Sequence, residues 1–142
     1  MEKYVPRGIR NNNPLNIRIG NTWIGEVEHP TDKEFEHFES MRYGLRAGFI
    51  LLHRYINRYG LRTITDLISR WAPSNENNTQ NYIRIVSQLT GIGCLDTISF
   101  EDRETMCSLV DAMVQVECGQ KIDRSLISWG YTLAELSTKY NV

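Results

Sequence analysis

Between Ser40 and Gly119 apolar residues recur every three or four positions in four separate runs, each opened by a hydroxyl-bearing residue and closed by glycine or proline. A stripe of that period lies along one face of a helix and must be buried against another element, so the chain is constrained to pack helix on helix. The first run, Met41, Leu45, Phe49, Leu52, Tyr55 or Ile56 and Tyr59, follows Ser40 and stops at Gly60. The second is capped by Thr63, with Asp66 three residues on, and carries Ile64, Leu67, Ile68 and Trp71 as far as Ala72-Pro73. After a loop over 74–78, Thr79 caps a third run of Tyr82, Ile83, Val86 and Leu89, stopped by Gly91. Ser99, with Asp102 three residues later, opens a fourth run of Met106, Leu109, Val110, Met113 and Val116 that Gly119 closes. Beyond it, Leu126, Ile127, Trp129, Leu133 and Leu136 predict one or two further short helices. Ahead of the helices, residues 7–21 hold five asparagines, two glycines and a proline and read as a turn-rich loop. Residues 22–38 place Trp23, Ile24 and Val27 before His29-Pro30-Thr31-Asp32, and Phe35 and Phe38 after it, which predicts a small β-hairpin. The expected fold class is therefore α+β, mainly α, in one domain over 1–142.

Composition narrows the function. Hydrophobic residues make up 41% of the 142-residue chain and charged residues 23%, the balance of an ordinary globular domain. A formal net charge of −1, with no run of Lys or Arg to trace a phosphate backbone, argues against nucleic acid as a partner. The start, MEKYVPRGIRNNN, has charges and a proline where a secretory signal needs an apolar core, and no apolar run reaches membrane-spanning length. The expectation is a chain made in the cytoplasm, with no membrane segment. Cys94, Cys107 and Cys118 are odd in number and lack metal-site spacing, which predicts reduced thiols, no disulfide and no metal.

One carboxylate falls in an unusual place. Val110 to Met113 is three residues and Met113 to Glu117 four, so the stripe of the fourth helix leads to Glu117 in its last turn. A carboxylate aimed with the core side chains is poorly solvated and sits at the negative end of the helix dipole. Both effects favour the neutral acid, the form that can donate a proton to a leaving oxygen. The same spacing also fits a glutamate at the edge of the stripe with its head in water.

The run RGIRNNNPLNIR at 7–18, W-I-G at 23–25, F-E-H-F at 35–38, Y-G-L-R-A at 43–47, R-W-A-P-S-N-E-N-N-T at 70–79 and Tyr82 together resemble phage and prophage lysozyme-like proteins, lytic or virion-associated. Leu15 departs from that pattern, standing where such proteins usually have glycine. The same order is similar to cell-wall glucosaminidases, with an asparagine pair before a hairpin and Trp-Ala-Pro ahead of a tyrosine. Those enzymes carry the catalytic glutamate first, on a helix ending in Glu-Ser-Gly. Here the matching Val-Glu-Cys-Gly, 116–119, comes last, which implies a circular permutation of the domain.

The resemblance implies a lysozyme-like fold and a peptidoglycan glycan strand as partner, cut without a cofactor by Glu117 as general acid. It also implies a second carboxylate in the hairpin. Glu26 ranks first, then Glu28 and Glu34, and all three read equally as solvated hairpin charges. Asn12, Asn13 and Asn16 offer amide donors and acceptors to a neutral sugar, or else make turns. Tyr82 would face the glutamate and the saccharide, or else fill the core with its hydroxyl bonded. Trp23 and Trp71 read as core anchors, and His29, His37 and His53 share no ligand or triad spacing. Hydrolysis and lytic transglycosylation both remain open, the latter needing no second carboxylate. A chain of this kind would act at the bacterial cell wall, reached by holin release or with the virion. The rival is a virion structural protein that keeps the fold and binds glycan without cutting it.

Overall fold

A computed structural model describes residues 4–73 and 76–141. Six helices follow in order: α1 (Arg7–Arg10), α2 (Met41–Asn57), α3 (Ile64–Trp71), α4 (Glu76–Thr90), α5 (Arg103–Cys118) and α6 (Arg124–Tyr140). The protein is mainly helical. α2 lies along α6, and α5 packs against α4, α6 and α1. Buried positions on α5 run from Met106 through Val114 with little interruption, the mark of a helix surrounded by its neighbours. Met106, Leu109, Val110 and Met113 have no exposed surface, and burying each such side chain stabilises the fold by about 1.5–3 kcal/mol. Around them gather Leu45, Phe49 and Leu52 of α2, Leu67 and Ile68 of α3, and Tyr131 of α6. Tyr131 meets Phe49 edge-on at 5.4 Å and donates its hydroxyl to the Phe100 carbonyl at 2.7 Å.

The four periodic runs become α2 to α5, with corrections at their starts. Asp102, not Ser99, caps α5 by accepting from the Thr105 amide, while the Ser99 hydroxyl donates to Glu101. α4 is already helical at Glu76, so Thr79 lies inside it and donates to the Ala72 carbonyl. Of the loop expected over 74–78, residues 74 and 75 lie outside the described residues and the rest is helix. The tail forms one continuous helix, α6, rather than short pieces. Thr63 caps α3 as expected, and Gly119 closes α5 at φ 68°.

The N-terminal third differs more. Residues 7–10 wind into α1 inside the stretch expected to be loop. The β-hairpin over 22–38 does not form; two isolated antiparallel bridges, Arg18 with Phe35 and Glu26 with Phe38, hold an otherwise irregular chain. Backbone bonds such as Ile19 to Glu34 and Val27 to His37, both 3.0 Å, join its strands of chain, and asparagine side chains add to them. Asn13 is fully buried; its amide donates to the carbonyls of Ile17 at 2.9 Å and Glu36 at 3.0 Å, and its oxygen accepts from the Ile17 amide. Asn12 donates to the Phe38 carbonyl at 3.1 Å, and Asn11 to Asp32 at 2.9 Å. Arg7 grips the same Asp32 through Nε at 2.6 Å and Nη2 at 2.7 Å, holding that carboxyl well below the usual range.

This loop sits directly on α2. A Cβ at Gly44 would fall 1.9 Å from the Asn12 carbonyl oxygen, and one at Gly48 would fall 2.5 Å from Leu15 Cδ1. Leu15 is wholly buried. The Leu15 side chain thus occupies the space left by a glycine on the facing helix.

Candidate active site

Glu117 stands in the last turn of α5, one residue before the buried Cys118 and two before the left-handed Gly119. Its carboxyl is mostly buried and is held from two sides. Tyr82 of α4, itself only 6% exposed, donates its hydroxyl to Oε2 at 3.0 Å. Asn16 of the loop donates Nδ2 to Oε1 at 2.9 Å. Burial raises the Glu117 pKa above the ordinary glutamate value, and the hydrogen bonds from Asn16 and Tyr82, which favour the ionised form, oppose it without cancelling it. The tyrosine responds oppositely, its pKa driven well up first by burial and then by the neighbouring carboxylate.

The loop reaches this place because its backbone is bent there. Asn12 and Asn16 both adopt left-handed backbone, φ 52° and 53°, which asparagine tolerates better than other residues with a side chain. α1 closes the back of the site. A Cβ at Gly8 would come within 3.0 Å of both Asn16 Oδ1 and Cys118 Sγ, so only glycine lets α1 lie so near. Cys118 donates its thiol to the Pro14 carbonyl at 3.2 Å, and burial, then the Glu117 charge, push its pKa up to about 11. A thiol so protonated is a poor nucleophile and reads as packing.

Of the residues singled out in the sequence, Glu117, Asn16 and Tyr82 come together. Asn12 and Asn13 do not join them, their amides being committed to backbone carbonyls. Glu28 and Glu34 are exposed, and Glu34 lies in long ion pairs of 3.7 Å with Arg7 and Arg18. Glu26 is paired with Glu36, a carboxylate the sequence reading passed over. Glu36 is 6% exposed, and burial, with Glu26 beside it, pushes its pKa up to about 7. The signal was present, because Glu36 lies two residues from the buried Phe38 and so shares its face in extended chain. Among the described residues no cluster of three His, Cys, Asp or Glu could hold a metal ion. Nor is any described helix long and apolar enough to cross a membrane.

Asn16 also lines a cleft of about 270 Å³ that runs between the loop and the α2–α3 side of the molecule, past Arg18, Asn21, Leu51, Tyr55 and Trp71. Trp71 donates its indole N–H to the Leu15 carbonyl at 3.3 Å, fixing the ring against the loop. A larger groove of about 580 Å³, bounded by His53 and Arg54 of α2 and Ser137 and Thr138 of α6, contains none of these residues.

Fold and site together define a mainly helical domain that holds one buried carboxyl at a helix end, between a tyrosine and an asparagine loop. Protein P5 of Pseudoalteromonas phage PM2 is 43% identical to the chain over 117 residues, covering 80% of this chain and 71% of the phage protein. The chain belongs to the family of that bacteriophage protein. No protein-family profile matches it.

Proposed function

We propose that the protein is a peptidoglycan-cleaving glycosidase of lysozyme-like fold in which Glu117 is the general acid. The observation that carries this reading is the mostly buried Glu117 carboxyl, its pKa raised by burial while Asn16 and Tyr82 fix its direction. An acid that keeps its proton nearer to neutrality can give it to the departing glycosidic oxygen. Asn16, which bonds the carboxyl, also lines the cleft of about 270 Å³ and so ties the two places together. Glu26 engages Glu36 rather than Glu117, which favours lytic transglycosylation, where a substrate hydroxyl attacks and no second carboxylate is required.

The second reading, a glycan-binding virion protein without activity, is favoured by one observation: both oxygens of Glu117 already have protein donors, as in a purely structural tie. Glu117→Gln separates the two. The exchange preserves shape and removes the transferable proton. Turbidity clearing of purified cell walls should fall by about two to four orders of magnitude while the melting temperature holds or rises. Wild-type protein that binds walls without clearing them, or a variant that clears them as well as wild type, would remove Glu117 from the chemistry.

A further inference from the structure

The cleft beside Asn16 has a chemistry of its own. Tyr55 and Trp71, in edge contact with centroids 6.0 Å apart, make one wall apolar and aromatic. The loop wall offers the neutral amide of Asn21 and one formal charge, Arg18, while the Asn16 amide nitrogen is taken by Glu117. That guanidinium is poorly engaged. It lies over the Phe35 ring at 4.8 Å, and its nearest acid, Glu34, is 3.7 Å away with both side chains more than half exposed, at 71% and 60%. Such a surface pair contributes little and is readily exchanged for a better acceptor. A carboxylate entering the cleft would find in Arg18 a planar two-pronged donor, the geometry that binds carboxylates most selectively.

We infer that the cleft selects an N-acetylhexosamine strand that bears carboxylates, with Arg18 as the specificity-determining residue and Tyr55 and Trp71 as the wall for the sugar faces. This rests on the reading of Glu117 as a glycosidic acid, since Asn16 belongs to both places. An uncharged strand of the same sugar offers Arg18 nothing. In a cell-wall strand the carboxylate comes from the peptide stem, whose amide bond uses up the lactyl carboxyl, or from the lactyl ether where the stem has been removed, and either would satisfy the same guanidinium.

Binding is measured in Glu117→Gln protein, so that nothing is cut, with three probes: chitohexaose, amidase-treated wall strands that keep only lactyl carboxylates, and intact soluble strands with stems. Adding Arg18→Gln should weaken carboxylate-bearing strands by about tenfold, the scale of one lost charge-assisted pair, and leave chitohexaose within about twofold. Loss on the amidase-treated strands alone assigns the lactyl carboxylate, loss on intact strands alone assigns the stem, and loss on both shows that either carboxylate is accepted. Arg18→Lys, which keeps the charge but not the fork, should recover part of the loss. Equal weakening of all three probes, no weakening of any, or no binding of any probe before Arg18 is changed would overturn the inference. Wall clearing by the wild type is scored separately. Clearing with an indifferent Arg18 sinks the cleft assignment alone, whereas charge-dependent binding without clearing sinks the catalytic reading and keeps the cleft.

Discussion

Tyr82 and Asn16 pull Glu117 in the direction opposite to burial, and the balance can be tilted one bond at a time. Tyr82→Phe removes a hydrogen bond that favours the carboxylate and adds no polar group, so the Glu117 pKa moves further up. A general acid works only while protonated, so its activity disappears as pH rises through its folded-state pKa. The descending limb of the wall-clearing profile should therefore shift to higher pH in Tyr82→Phe. A limb that stays in place or moves down would show that the tyrosine does not act on Glu117. Much of this was legible beforehand. Helix geometry put Glu117 on the stripe of α5 and Tyr82 on that of α4, but left Glu117 free to turn its head to water, and only the resemblance set the two facing each other. Which asparagine would reach the carboxyl was not legible. Asn12, Asn13 and Asn16 have identical side chains, and only the left-handed bend at Asn16, together with the backbone carbonyls taken by the other two, separates them.

At the scale of elements, helices were read from local periodicity and their ends from caps, and one error falls where two capping residues competed. Ser99 and Asp102 both suit the start of α5, but Asp102 alone holds the Thr105 amide and, being ionised, suits the positive end of the helix. Asp102→Ala should lower stability by about 0.5–2 kcal/mol, and Ser99→Ala by less, in denaturant unfolding. The reverse order would restore the earlier start. The hairpin expected over 22–38 was misread because the backbone pairs there are few and isolated, with side-chain amides, which carry no period, adding to them. That segment also carries an electrostatic burden in Glu36. Its folded-state pKa of about 7 exceeds the ordinary 4.5, so the folded protein binds this proton more tightly than the unfolded chain. The stability associated with the group is therefore complete below about pH 4.5 and declines up to about pH 7. Glu36→Gln carries no ionisable group and should raise the melting temperature at about pH 8 by roughly 2–4 °C, the shift of about 1 kcal/mol in a chain of this size, with no gain at about pH 4. An equal gain at both pH values would mean that packing, not charge, is responsible.

For the whole molecule, the mainly helical character was legible in the sequence, because four amphipathic stripes must bury one another, but the central place of α5 was not. The closure that completes the site was not, since it joins segments with no local relation. Asn16 reaches Glu117 across 101 positions of the chain, and Cys118 reaches the Pro14 carbonyl across 104. Contacts that distant cost more chain entropy to close than local ones. A variant whose asparagine loop cannot dock would keep the Tyr82 bond to Glu117 and lose the one from Asn16. Under the proposed function the carboxyl of such a variant would hang from a single donor, so docking of the loop is what aims it.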